Sequence, residues 1–158
     1  MHPLARWYVK TSLLFLALGL MIGAHMSATF FLRRVPPDPF LIVAHTHLLL
    51  VGFVLMMIMG VGLWMFPKPA KDDRRYRPVV ASAGYLLLTF ATATRATGEI
   101  ALGFGGAASA ARDVLLGLST AGGLLQAAGG LLFAFNVWTR IRAVGGQIPA
   151  SAPREARA

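Results

Sequence analysis

The segment 40–66 reads FLIVAHTHLLLVGFVLMMIMGVGLWMF and contains no aspartate, glutamate, lysine or arginine. Crossing the hydrocarbon core of a bilayer, about 30 Å thick, takes roughly 20 apolar residues in a helix. The segment is longer than that, and it is closed by Pro67, Lys68 and Pro69, which break a helix or carry charge. It therefore predicts a transmembrane helix.

Three further apolar runs lie on either side of this segment. The run 11–32 precedes it and ends at two arginines and a proline-rich breaker. The run 78–98 follows it and begins with Pro78, whose missing N–H is harmless in the first turn of a helix. The fourth run is 114–139. Together the four runs predict an all-α membrane protein that is a four-transmembrane-helix bundle.

The overall composition agrees with a polytopic membrane protein. The 158 residues are 56% hydrophobic and only 13% charged, and the mean hydropathy is +0.64. Soluble domains carry about 25% charged residues, so this chain has roughly half the usual content. We expect one transmembrane domain over 1–142, with a Gly/Ala-rich stretch at 99–113 that either extends a helix or lies in the interface. The segment 143–158, rich in Gly, Pro, Ala and Arg, is expected to be a disordered cytoplasmic tail.

The basic residues predict the orientation of the bundle. In a four-span arrangement, eleven of the 15 lysines and arginines fall on the side of the termini and four on the other side. Cytoplasmic loops carry the excess of Lys and Arg, so both termini are predicted to be cytoplasmic. We expect a prokaryotic inner (plasma) membrane. The net charge of +9 is explained by contact with the lipid bilayer, and no motif predicts a nucleic-acid partner.

Three of the four histidines, His25, His45 and His47, lie inside predicted spans. Ionisable side chains are costly within a membrane and usually face the protein interior or a cavity, so they are functional candidates. The first helix is predicted to run outward and the second inward. At about 1.5 Å per residue, all three histidines should lie roughly 7–10 Å below the outer helix ends.

Neutral imidazole is a good ligand for haem iron and for copper. His45 and His47 are two residues apart, hence about 200° apart around a helix, so they cannot both face one iron. Gly52 lies seven residues after His45 on the same face and would leave room for a flat macrocycle. Arg95 is predicted at a similar depth and would either hold a haem propionate or extend to the outer headgroups. The alternative for each histidine is a hydrogen bond that ties neighbouring helices together.

Several classes of protein are disfavoured by what the sequence lacks. There is no cysteine, which removes disulfides and thiolate metal sites, and no phosphate-binding or dinucleotide motif. All six acids are predicted to lie in loops, tails or helix ends, whereas a proton pump or transporter normally holds a carboxylate within a span. We therefore predict no catalytic residues.

Gly122 and Gly129, and likewise Gly19 and Gly23, form small-residue stripes that favour helix packing.

The stretch AHTHLLLVGF at 44–53, continued by GVGLWMFP at 60–67, resembles the second helix of haem–copper oxidase subunit I. It is most similar to the nitric oxide reductase branch and related oxidases. The resemblance implies a helix that begins near the outer face with a low-spin haem ligand, runs inward and ends in aromatic residues before a proline. It places the ligand at His45, with His47 as a competitor because the His-x-His pattern leaves the register open.

The chain also departs from that family. The later helices that supply the family's second haem ligand and its copper site are missing, so a complete oxygen-reducing oxidase is not expected from this chain alone. If haem is bound, the second ligand would come from His25 or another subunit, unless the position stays open.

The sequence thus predicts a membrane protein with haem b, acting in electron transfer or in binding NO or O₂. A homo-oligomer is expected, with a redox protein or quinol as its electron partner. A second hypothesis is a haem-free copper protein that uses His25, Met26, His45 and His47. A third is a structural or assembly subunit of a respiratory complex.

Overall fold

The computed structural model describes residues 3–66, 77–105, 109–138 and 141, apart from the side chains of residues 109 and 110. These residues form four long helices and no strand. All four helices are long and apolar enough to cross a membrane, which confirms the predicted transmembrane bundle. The helices are α1 (Pro3–Arg33), α2 (Pro39–Met65), α3 (Pro78–Gly103) and α4 (Ser109–Val137).

The predicted tail at 143–158 and eight of the cations used to predict the orientation lie outside the described residues. The orientation of the termini therefore stays a prediction. The eight cations are Lys68, Lys71, Arg74, Arg75, Arg140, Arg142, Arg154 and Arg157.

Three helix ends differ from those predicted. The first helix begins at Pro3 rather than at residue 11, because Arg6 and Lys10 are exposed and their long stems let a helix continue into the polar interface. The third helix continues to Gly103 instead of ending at residue 98, and a turn follows in which Gly105 has a φ of 64°. The fourth helix starts at Ser109.

The α1–α2 connection is short and is fixed by local capping. Arg34 adopts a positive φ of 58°, and its N–H bonds to the carbonyl of Phe30 at the end of α1. Asp38 then caps α2 by accepting a hydrogen bond from the Phe40 N–H at 2.8 Å, with Pro39 in the first turn. These contacts hold the beginning of α2 beside the end of α1.

Each helix packs against the next one along the chain, and α3 and α4 share the largest interface. Small residues permit that close approach. A Cβ added at Gly129 would lie 3.1 Å from the Leu88 nitrogen and 3.3 Å from the Gly84 carbonyl oxygen. A Cβ added at Gly122 would lie 3.0 Å from the carbonyl oxygen of Ala91. The helix-packing role predicted for Gly122 and Gly129 is confirmed.

Near the beginning of α1, the core is built around Tyr8, which is 0% exposed. Its ring makes edge contacts with Tyr85 of α3 at 4.9 Å and with Phe133 of α4 at 5.9 Å. Gly60 of α2 packs against the Cβ of Tyr8. The hydroxyl of Tyr85 forms a hydrogen bond with that of Thr11 at 2.7 Å. One side chain from the first helix therefore contacts all three of the others.

The middle of α2 is π-helical over the eight residues Leu48–Leu55, directly after His47. A π-helical segment widens the turn and shifts the faces of the residues that come after it, and such segments are frequent at functional sites. Gly52 lies within this segment and packs against Phe15 of α1, whose Cβ is 2.7 Å from the position of an added Cβ. The face of α2 at Gly52 is therefore in contact with α1.

Gly60→Ala should destabilise the bundle, because the new methyl carbon would lie 2.8 Å from the Tyr8 Cβ and 3.2 Å from the Ala5 carbonyl oxygen. Neither atom can move without shifting α1. Gly62→Ala, two residues away, meets only the Phe66 ring at 3.4 Å and should be neutral or stabilising by up to about 1 kcal/mol. Equilibrium unfolding in mixed detergent micelles would compare the two variants. Equal stabilities would contradict the packing described for Tyr8.

Candidate functional site

The three candidate histidines contact three different parts of the protein. His25 is exposed, and its ring lies 5.2 Å from that of Phe104, just after α3. Both line a pocket of about 180 Å³ at the end of the bundle formed by the α1–α2 connection. His45 faces α1 and His47 faces α3. This divergence of His45 and His47 agrees with their two-residue spacing.

His45 fits into a crevice on α1 made by glycines. Its Nδ1 lies 2.8 Å from the carbonyl oxygen of Gly19, and a carbonyl can only accept, so Nδ1 carries the proton. A Cβ on Gly23 would lie 2.7 Å from the ring's Cε1 and 3.5 Å from Nε2. Of the predicted packing stripe, Gly23 therefore makes room for the imidazole, whereas a Cβ on Gly19 would meet Leu49 at 2.7 Å.

His47 hydrogen-bonds a carboxylate on the neighbouring helix. Its Nδ1 lies 3.1 Å from Oε2 of Glu99, whose side chain is only 4% exposed. The other carboxylate oxygen accepts a hydrogen bond from Nε of Arg95 at 2.9 Å. The sequence predicts that the stretch beginning at Glu99 either extends a helix or lies in the interface. In the structure Glu99 lies inside α3, buried between helices, so the first alternative is confirmed at this position.

The hydrogen bonds continue from Arg95 into α4 and back to α3. Nη1 of Arg95 donates to Oε1 of Gln126 at 3.1 Å, and Nε2 of Gln126 donates to the Thr92 hydroxyl at 3.0 Å. That hydroxyl donates to the carbonyl of Leu88 at 2.8 Å. The side chains of His47, Glu99, Arg95, Gln126 and Thr92, called here the polar network, link α2, α3 and α4.

Two adjacent glycines on α4 make room for the Arg95 side chain. A Cβ on Gly122 would lie 2.8 Å from the Cβ of Arg95, and a Cβ on Gly123 would lie 2.8 Å from its Nη1. The guanidinium is therefore directed along α4 toward Gln126 and Glu99. A propionate contact for Arg95 stays a prediction, and both its Nε and its Nη1 already have protein acceptors.

The electrostatics of the polar network rest on the ion pair between Arg95 and Glu99. A charge buried away from water costs several kcal/mol unless it is paired and hydrogen-bonded. Glu99 meets this requirement with two donors on separate oxygens, one of them a cation. Glu99, Thr92 and Gln126 are not among the site residues predicted from the sequence. The signal that was available is the spacing of Thr92, Arg95 and Glu99 along one face of a helix.

Both His45 and His47 have Nδ1 bonded to an oxygen, and no residue in the described part of the chain hydrogen-bonds their Nε2 atoms. Histidines that bind metals usually have this arrangement, with the second nitrogen fixed by a carbonyl or a carboxylate. The same contacts also tie α2 to α1 and to α3. The geometry thus supports both a ligand role and a helix-bonding role.

Residues 3–66, 77–105 and 109–138 contain no cluster of side chains that could bind a metal ion without a cofactor. No group of three or more His, Asp or Glu side chains among them is placed to hold a metal ion. The copper hypothesis, which joins His25, Met26, His45 and His47, therefore gains no support from the geometry. The macrocycle contact predicted for Gly52 is untested, and Phe15 occupies that space.

No protein-family model matches the chain, and no curated protein or solved structure is detectably similar to it. The resemblance of its second helix to that of haem–copper oxidase subunit I therefore stays a prediction.

Arg95→Met should lower the free energy of unfolding by about 3–5 kcal/mol, because it leaves the Glu99 carboxylate buried without its cation. Adding Glu99→Gln in the same chain should restore part of that loss, since no unpaired charge remains. Equilibrium unfolding in mixed micelles would measure both variants. Arg112→Gln removes a cation that lies 5.4 Å from the Phe40 ring at the surface, and should cost less than about 1 kcal/mol. An Arg95→Met protein as stable as wild type would contradict the network's energetic role.

Proposed function

We propose that this chain is a membrane b-type haem protein in which His47 is an axial ligand of the iron. The observation that supports this most is the bond between His47 Nδ1 and Glu99, which orients the imidazole and leaves Nε2 available. Haem, when bound, would supply one-electron redox chemistry, or a site for NO or O₂ if one axial position is open. Glu99 would orient the ligand and raise its basicity, and Arg95 would hold Glu99 in place.

His47 is the stronger of the two candidates on helix α2. The His45 ring lies against the Gly23 backbone, which restricts access to its Nε2. His45 and His47 are both partly buried, so their exposure does not separate them, but a carboxylate is a stronger acceptor for the N–H of His47 than a carbonyl is for that of His45. The resemblance to haem–copper oxidases favours His45 instead, so the two histidines require separate variants.

A second copy of the chain is part of the proposal. The pocket of about 180 Å³ at the end of the bundle formed by the α1–α2 connection is lined by His25 and not by His47, so it is not the site of a haem bound to His47. His25 lies in that pocket beside Phe104 and hydrogen-bonds neither of the other histidines. We propose that a partner copy supplies one wall of the haem site beside the partly exposed His47, and any second axial ligand. We place the protein in a prokaryotic inner membrane with cytoplasmic termini, reduced by a redox protein or a quinol.

A structural or assembly role is the second candidate, and specific contacts favour it. His45 bonds α1 to α2 and His47 bonds α2 to α3, which is what histidines that only join helices would do. Hydrogen bonds between transmembrane helices contribute about 0.6 kcal/mol each on average. The two candidates differ in whether a chromophore copurifies with the protein.

A reduced-minus-oxidised absorption spectrum of the detergent-purified protein, with pyridine haemochrome quantitation, tests the haem proposal. We expect a b-type spectrum at one haem per chain or per dimer. His47→Ala should abolish it and His25→Ala should retain it. A spectrum that shifts with CO or NO would indicate an open axial position, whereas low-spin bands that do not shift would indicate electron transfer.

Two results would count against parts of this proposal. A protein that stays colourless after expression with added haem would exclude the haem proposal, and the structural or assembly role would remain. A spectrum lost in His45→Ala but kept in His47→Ala would move the ligand to His45, as the resemblance to haem–copper oxidases implies. Circular dichroism of each variant serves as the control, because both histidines also join helices.

A further inference from the structure

The first turns of α1 carry a shallow groove of about 160 Å³ on the outside of the bundle. It is lined by Pro3, Arg6, Trp7 and Lys10. These residues are three or four positions apart along the helix, so they share one face. All four are exposed, and the indole of Trp7 forms part of the groove. The groove lies far from the polar network, near the opposite end of the bundle.

The two cations of this groove are not neutralised within the described part of the chain. Arg6 and Lys10 form no ion pair or hydrogen bond with the residues that the structure describes there. They are four residues apart, which separates their Cα atoms by about 6 Å along the helix axis. Guanidinium and ammonium groups at this spacing can donate to different oxygens of one phosphodiester.

The tryptophans indicate where this groove lies in the bilayer. Trp7 is near the beginning of α1, Trp64 is one residue from the end of α2, and Trp138 directly follows α4. All three are at the same end of the bundle and all are exposed. Tryptophan is enriched at the boundary between the hydrocarbon core and the headgroups. The groove therefore lies at headgroup level.

An apolar track continues from the groove toward the middle of the membrane. Leu14, Leu18 and Met21 come after Trp7 and Lys10 at helical spacing and are exposed on the same side of α1. An acyl chain attached to a phosphodiester in the groove would extend along these side chains. The face thus matches a phospholipid in both its charged and its apolar parts.

We propose that the groove of Pro3, Arg6, Trp7 and Lys10 is a binding site for an anionic phospholipid such as phosphatidylglycerol. Arg6 and Lys10 bind the phosphodiester, Trp7 packs against the glycerol region, and one acyl chain lies along Leu14 and Leu18. Each cation near an anionic membrane surface strengthens binding by roughly fivefold. No residue of this groove belongs to the proposed haem site, so the lipid proposal does not depend on the proposed function.

Quenching of Trp7 fluorescence tests this proposal. The full chain carries Trp64→Phe and Trp138→Phe, so that only Trp7 emits, and is reconstituted into phosphatidylcholine vesicles. Phosphatidylglycerol or phosphatidylcholine with brominated acyl chains is then titrated in. We expect the brominated phosphatidylglycerol to occupy the site at least roughly fivefold more strongly. Arg6→Gln with Lys10→Gln should bring that ratio close to one.

Arg33→Gln with Arg34→Gln is the matched control, because it removes the same net charge at the other end of α1. This control should keep the wild-type ratio. Quenching by brominated phosphatidylcholine should be the same in all variants, which verifies that each one is inserted. The proposal would be overturned by a ratio near one in the starting protein, or by a ratio that survives Arg6→Gln with Lys10→Gln. An equal fall in the Arg33→Gln and Arg34→Gln control would also overturn it, since it would show a general charge effect.

Discussion

Glu99 has a carboxylate almost fully enclosed by transmembrane helices, and such a group must have donors or a counter-charge within reach. Arg95, one turn earlier on α3, supplies the charge, and His47 of α2 supplies a second donor. Placing a guanidinium between α3 and α4 in turn requires a gap, which Gly122 and Gly123 provide. Gln126 and Thr92 then complete the hydrogen bonds. The positions of three helices at this level depend on one buried carboxylate.

Helix α2 is held on both sides at the same depth. His45 anchors it to a carbonyl on α1, and His47 anchors it to a carboxylate on α3. The π-helical segment Leu48–Leu55 begins directly after these anchors and changes the angular position of the later residues of α2. Gly52 then faces Phe15, and Gly60 faces Tyr8. The two histidines and the π-helical segment together determine which faces of α2 are buried.

The four helices could be predicted because apolar length and charge placement determine membrane insertion residue by residue. The end of α3 stays open in the sequence, because a glycine at the end of an apolar run often indicates a helix end and Gly98 stands at such a position, whereas the stretch after it can also extend the helix. In the structure Gly98 is a packing residue, and a Cβ there would lie 2.5 Å from the Ser119 hydroxyl. Once the helix continues to Gly103, Glu99 becomes an interior residue. The partners of His45 and His47 depend on how helices far apart in sequence face one another, which the periodicity within any one helix does not show.

The central position of Tyr8 also has a consequence for biogenesis. Its ring belongs to α1, yet one of its packing partners, Phe133, lies near the end of α4, which is synthesised later. During synthesis the surface around Tyr8 therefore stays incomplete until α4 has been made and inserted. Contacts between such distant parts of a chain form late and slowly. Until α4 is in place, the side of the Tyr8 ring that later meets Phe133 has no protein neighbour from that helix.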